Sequence, residues 1–450
     1  MPIELRRSMG LTAATSMVVG IIVGAFIFVQ PAEVTRLVPS ERGIIWVWLL
    51  SGVLTLCAAL VGAELSRLYP ETGGVYVFLK HIYSPVLAFL WGWGMFFVMH
   101  AGILAAIAVV LARYAGYFFG LGDTGIRMLA IAAILLVSFI QYLGVKPGSA
   151  VQVTLTAAKL AAITLICALI FTLGGAAHHA VPVSSGQPIR MTSFGLAVAA
   201  GLFAFGGWHM VSYSAGETRN PERTIPRALI YGVLIVTACY TLLNAAYLYV
   251  MPLAYVATST RVAADAMERV LGPAGSKAIT VVIILSALGA LNGIALAGPR
   301  VYYAMAQDRL AFRWMAALHP QRQTPYFAIA AQAVWACVLT ATNSYRVLFT
   351  RVIYTEWLFF ALLAAGIFVL HRRGQYTPKF LAFGYPLLPA VSFLTSAAIA
   401  VNQIWASPRD SVIGLGLLLL GLPVYFFWAY RSSTQHAARG PSTDADDRLS

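Results

Sequence analysis

Apolar residues run along this chain in long blocks, and short polar turns separate them. Twelve blocks read as membrane-spanning helices: 10–32, 44–68, 85–119, 127–144, 150–173, 192–214, 227–251, 276–305, 326–342, 350–371, 382–401 and 411–430. A bilayer core is crossed by about 20 residues of helix, and most of these blocks reach that length. The block 85–119 is long enough for a strongly tilted helix. The intervening stretch 69–82, with its glycines and tyrosines, suits a short interfacial helix. Two blocks are interrupted at mid-depth. The first contains "GIIVGAFIF" (20–28), with Gly20 and Gly24, and the sixth contains "GLFAFGGWHM" (201–210), with Gly201, Gly206 and Gly207. Glycine weakens a helix relative to alanine. Non-helical backbone is tolerated at membrane depth only where it is buried in protein or lines a cavity.

The broken blocks stand five spans apart, which predicts two five-helix repeats, each led by a discontinuous helix. Paired interruptions at matching positions point to a transporter binding site near the midplane. An unwound turn frees N–H groups on one half-helix and C=O groups on the other. The first suits a carboxylate and the second an ammonium, so a small zwitterion satisfies both. The competing reading is close helix packing, since Gly20 and Gly24 also fit a small-xxx-small pattern.

Composition agrees with the periodicity. The chain has 450 residues, 60% hydrophobic and 10% charged, against roughly a quarter charged in a soluble domain. Its net charge of +14 reflects basic loops rather than nucleic-acid binding. With an even number of spans both termini share a side. Arg6, Arg7, Arg67, Lys80, Lys146, Arg219, Arg223, Arg227, Arg309, Arg313, Arg322, Arg372, Arg373 and Lys379 fall on that side, with Arg300 and the arginines of the tail, and outnumber the basic residues opposite. The positive-inside rule therefore predicts cytoplasmic termini. No cleaved signal peptide is expected from "MPIELRR", and the tail 431–450 reads as disordered. The expected organisation is a cytoplasmic N-terminus (1–9), a first repeat (10–173), a second inverted repeat (192–371), helices eleven and twelve (382–430) and the tail. Cys57, Cys167, Cys239 and Cys337 lie in apolar stretches and read as packing residues. No metal site and no cofactor are expected.

One charge stands inside the fifth span. Lys159 in "VQVTLTAAKLAAITLICALIF" (151–171) lies about eight residues in, roughly 12 Å from the expected helix start. A lysine at that depth costs on the order of 2.5–3.5 kcal/mol, so it either snorkels or faces partners inside the bundle. His100 and His209 are too scattered for a catalytic set, and no phosphate-binding G-x-x-x-x-G-K-[ST] loop is present. An intramembrane enzyme, a channel and a nucleotide-driven pump are therefore disfavoured beside a secondary transporter.

Several motifs carry a family resemblance over nearly the whole chain. "GIIVGAFIFVQP" resembles the first-helix motif of the amino acid–polyamine–organocation superfamily. "FAFGGWHMVSYSAGETRNPERTIPRAL" resembles the sixth helix and following loop of its L-type amino acid transporters. "SALGALNGIALAGPRVYYAMAQD", "YTEWLFFALLAAGIFVLHRR" and "GYPLLP" resemble their eighth helix, tenth helix and eleventh-helix start. The resemblance implies two inverted five-helix repeats plus two helices, and amino-acid transport by alternating access. It also implies that N–H groups around Gly24, Ala25 and Phe26 meet the substrate carboxylate. The carbonyls of Ile21 and Ile22, with Phe203, Ala204 and Gly206, would meet its amino group, and Phe203 would act as an aromatic gate. Asn292 would line the pocket or join helix packing. Lys159 would occupy the place of a sodium ion between helices one, five and eight, which implies Na⁺-independent exchange or proton coupling.

The chain departs from the pattern at Phe26, where the family has glycine, at Ala25, often serine, and at His209 and Met210. These departures leave an amine, polyamine or γ-amino acid as alternative substrates. Glu217 reads as a gate or loop salt bridge beside Arg219 and Arg223, Glu356 as structural, His100 as a satisfied polar residue, and Arg113 as snorkelling. The L-type transporters of eukaryotes bond a single-span partner through a cysteine in the loop between helices three and four. Here that loop, "GLGDTGIR", has none, so no disulfide-linked heavy chain and an inner-membrane protein of a prokaryote are expected.

Overall fold

A computed structural model describes residues 5–24, 26–28, 30–175, 190–342, 345–374, 376–381 and 384–437. The described residues are almost entirely helical. The first span is split as expected. Helix α1 (Leu11–Ile22) ends at the interruption, a single 3-10 turn covers Phe26–Phe28, and α2 (Gln30–Leu37) continues. Helix α3 (Glu41–Leu68) starts at a Ser40 cap whose Oγ accepts from the Gly43 N–H. The stretch expected to be interfacial contains α4 (Val75–Ile82).

The long third span is not one regular helix. Helix α5 (Pro85–Gly94) passes through a π-helical turn at Met95–Met99 into α6 (His100–Phe119). Helices α7 (Asp123–Leu143) and α8 (Val145–Leu173) follow. Helix α9 (Met191–Ala204) stops at the second interruption, and a 3-10 segment (Trp208–Glu217) resumes beyond it. The chain then forms α10 (Pro221–Val250), α11 (Leu253–Thr258), α12 (Val262–Leu271) and α13 (Pro273–Gln307). It continues with α14 (Tyr326–Ala341), α15 (Tyr345–Arg372), α16 (Leu387–Ala406), α17 (Pro408–Leu419) and α18 (Gly421–Ala437).

Ten of the described helical segments are long and apolar enough to cross a membrane. The apolar helices Leu11–Ile22 and Tyr326–Ala341 are shorter. The chain is thus a polytopic helical membrane protein. Helices α11 and α12 fall where only a loop was expected between the seventh and eighth spans. Helix α12 is amphipathic and α11 is only 6 residues long, so a search for long apolar runs passes over both. Helix α18 runs to Ala437, into the tail expected to be disordered, and 438–450 lie outside the described residues.

The core is built around α1, which packs against α8, α10 and α13. Helix α13 carries a nearly unbroken run of buried residues from Ala287 to Ala306 and also contacts α6, α7 and α12. Both interruptions therefore lie inside protein, not against lipid. Gly20 is a packing glycine, because a Cβ there would run into the Gln152 amide and Thr156 hydroxyl of α8. Gly201 likewise faces Ser51 of α3.

Candidate functional site

The two interruptions meet. After Ile22 the backbone leaves the helix at Val23 (ψ 73°), and the Gly24 N–H donates to the Ile22 carbonyl at 2.7 Å. In the sixth span the helix ends at Ala204, and Gly207 takes φ +92°. A Cβ on Gly207 would stand 2.5 Å from Ile21 Cγ2, so this glycine supplies both a left-handed backbone and a close approach to α1. Tyr240 of α10, fully buried, clasps the two breaks. Its hydroxyl lies 2.8 Å from the Ile22 carbonyl and 3.1 Å from the Ala204 carbonyl, sharing one proton between them. Sequence reasoning missed Tyr240, because a tyrosine in a thoroughly apolar helix carries no signal of where its hydroxyl points.

A cavity of about 190 Å³ opens at this junction. Of the residues singled out from the sequence, Ile21, Ile22, Gly24, Phe26, Phe203, Ala204 and Gly206 line it. Phe26 is 44% exposed on its wall. It sits in the 3-10 turn, and the non-glycine residues with positive φ among those described are Asn220, Arg309 and Gln323. The lost glycine freedom is therefore not needed at this position, and the departure from the family motif is one of bulk. Ala25 lies outside the described residues. Phe203 packs edge-on to Trp357, with centroids 6.0 Å apart.

Asn292 is not on the cavity wall. It is fully buried between α7, α8 and α13, where its Nδ2 donates to Gln152 Oε1 at 2.8 Å and its Oδ1 accepts from Gln141 Nε2 at 2.7 Å. Of its two expected roles, helix packing is the one its surroundings supply, because neighbouring amides satisfy both ends of the side chain.

Lys159 stands near the middle of α8, deeper than expected, since the helix begins at Val145 rather than near 150. It is fully buried. Its Nζ donates to the carbonyls of Gly20 (2.9 Å), Val23 (2.8 Å) and Ser286 (3.1 Å). An ammonium has three protons, and three acceptors surround it. Two of them come from the frayed end of α1 and one from α13. The Ser286 hydroxyl also donates to the Val23 carbonyl at 3.4 Å. The interruption of α1 thus produces the acceptors that allow a lysine at this depth, and snorkelling is ruled out by its burial.

Glu217 and Arg300 form a fully buried bidentate pair, at 2.8 and 2.9 Å. The expected partners Arg219 and Arg223 give way to Arg300, because a carboxylate taken out of water needs a planar donor buried with it. Glu356, read from sequence as structural, lines the cavity. Met210 also lines it, whereas His209 lies behind, with its Nε2 3.4 Å from Glu356 Oε1. A carboxylate inside an apolar span was a signal the sequence did carry. His100 Nδ1 pairs with Tyr302 Oη at 3.0 Å. Among the described residues no group of three or more His, Cys, Asp or Glu could hold a metal ion.

Comparison with known proteins gives a consistent result. The amino acid permease family matches residues 9–427. The serine/threonine exchanger SteT of Bacillus subtilis is 31% identical over 94% of this chain and 97% of its own length. The human b(0,+)-type amino acid transporter 1 is 30% identical over 95% of this chain and 89% of its own. The human large neutral amino acids transporter small subunit 2 is 29% identical, with 95% and 81% covered. A match of this extent, on a chain whose two broken helices meet at a cavity, makes this protein a member of the amino acid permease family: an amino-acid transporter of the membrane, not an enzyme.

Proposed function

We propose that this protein carries amino acids across the membrane by alternating access without sodium, as an exchanger or a proton-coupled carrier, with substrate held at the junction of the two broken helices. The observation that carries the reading is the Lys159 ammonium, bound by Gly20, Val23 and Ser286 carbonyls between α1, α8 and α13. A fixed cation there supplies the charge that a coupling ion would otherwise bring, and holds the end of α1 in its unwound form. The substrate carboxylate is assigned to the backbone around Gly24 and Phe26, and its amino group to the carbonyls of the two breaks, with Phe203 as gate. An amine, polyamine or γ-amino acid is the alternative cargo, and the similarity to amino acid transporters favours the amino acid over it.

The ten long spans, with Leu11–Ile22 extended by α2 and Tyr326–Ala341 as a short crossing, are read as twelve crossings. The first ten form two inverted repeats (10–173 and 192–371), and both termini are cytoplasmic by the distribution of Lys and Arg. The absence of cysteine from 120–127 supports a carrier that works without a disulfide-linked partner in a prokaryotic inner membrane.

The test is uptake of labelled amino acids into proteoliposomes, with Na⁺ or with choline outside. Equal uptake is expected in both, and Lys159→Ala is expected to lose at least nine-tenths of it while still eluting as a folded monodisperse protein. Uptake that requires Na⁺, or wild-type uptake by the variant, overturns the assignment.

A further inference from the structure

Besides the amide of Gln30 and the hydroxyls of Thr55, Ser392, Thr395 and Ser396, the cavity has two polar ends. One is the backbone of the two breaks, which suits the neutral zwitterionic head of an amino acid. The other is Glu356 of α15, the carboxylate among the described residues that line the cavity; no lysine or arginine lines it. No lysine or arginine forms an ion pair with Glu356 among the described residues. The nearest titratable partner is His209, at 3.4 Å, longer than a charge-assisted hydrogen bond. His209 cannot turn to meet it freely, because the rings of Trp91, Trp208, Tyr213 and Phe360 stand around the imidazole at 4.9–5.8 Å. Beside Glu356 the wall is aromatic. Trp357 and Phe360 line the cavity with centroids 5.8 Å apart, and Phe203 meets Trp357 edge-on. A carboxylate set among aromatic faces is the chemistry that receives an organic cation, through charge and through the ring quadrupoles.

We propose that Glu356, with Trp357 and Phe360, forms the side-chain end of the binding site and selects amino acids that carry a second positive charge. This rests on the substrate occupying the cavity proposed above. The α-amino and α-carboxyl groups balance each other at the breaks, which leaves Glu356 as the acidic group of the cavity without a lysine or arginine beside it. A neutral amino acid leaves that carboxyl group without a cationic partner. A lysine- or ornithine-like substrate pairs it.

The experiment is binding of L-lysine and of L-norleucine, its isostere without the ammonium, to the purified full chain by titration calorimetry. The wild-type protein is expected to bind lysine at least tenfold more tightly than norleucine. Glu356→Gln is expected to lower that ratio tenfold or more, and Trp357→Leu to lower it several-fold. A wild-type protein that prefers norleucine overturns the proposal without needing any variant, as does a Glu356→Gln protein that keeps the wild-type ratio. Binding of neither, nor of any other amino acid, overturns the amino-acid site itself, which separates that failure from a failure of the selectivity.

Discussion

Phe26 and Gly207 show what single residues decide at the junction. Phe26 occupies the cavity wall with ordinary backbone geometry, so its effect is volume. Phe26→Gly is expected to widen the range of accepted side chains, read as new thermal shifts across the twenty amino acids; an unchanged pattern would count against a site at this wall. Gly207 is constrained twice, by φ +92° and by Ile21. Gly207→Ala forces a left-handed alanine and displaces Ile21, a destabilisation of about 1–3 kcal/mol. It should appear as a lower melting temperature and reduced uptake. Gly24 lacks both constraints, since a Cβ there would only touch Ala290 Cβ at 3.5 Å. Gly24→Ala should therefore melt close to wild type, and a collapse would show that the turn needs more freedom than its geometry indicates.

Among the elements, α1 is defined by what packs on it. Its hydrogen-bond ladder ends at Ile22, and the carbonyls it leaves are taken by Lys159 of α8 and Tyr240 of α10. The two neighbours are not equivalent. Lys159 brings a charge that needs acceptors, whereas Tyr240 brings one neutral proton shared between α1 and α9. Tyr240→Phe removes a buried hydrogen bond without changing shape, a loss of about 0.5–1.5 kcal/mol. A melting curve should show that modest loss, and uptake should fall more than stability if the clasp sets the spacing of the breaks. The contact of α1 with α8 at Gly20 is steric: Gly20→Val would wedge the helices apart and is expected to lower the melting temperature well below that of Gly24→Ala.

Across the whole molecule, charged groups tie distant segments together. Glu217, at the end of the 3-10 segment after the second break, is locked to Arg300 of α13 with both side chains fully buried. The same Glu217 carbonyl accepts the N–H groups of Ser8 and Met9, so the entry to α1 is fastened beside the exit of the sixth span. Glu64 of α3 accepts the N–H groups of Lys379, Phe380 and Leu381 and pairs with Arg67. Arg300→Met leaves Glu217 buried and unpaired and should destabilise by roughly 3–5 kcal/mol. Pairing it with Glu217→Leu should recover much of that loss in a melting experiment. No recovery would mean that the pair acts through the conformation it holds.

The order of the spans, the positions of both interruptions and the one lysine at depth were legible in the sequence. Apolar run length, glycine and charge are local properties, and lipid penalises each of them strongly enough to leave a mark. Which side chains meet was not legible. These helices are apolar nearly all round, so no polar face shows which side turns inward. Asn292 and Glu356 illustrate this. Each is a polar residue in an apolar run, yet Asn292 is consumed by Gln141 and Gln152, while Glu356 reaches the cavity. Helices α11 and α12 were hidden for the opposite reason, because neither contains a long apolar run. Composition and run length determined that this chain spans a membrane and where its helices break. The tertiary packing decided that the breaks face each other, that Lys159 and Tyr240 take the freed carbonyls, and that a carboxylate stands across the cavity, because those contacts join residues 36 to more than 200 positions apart.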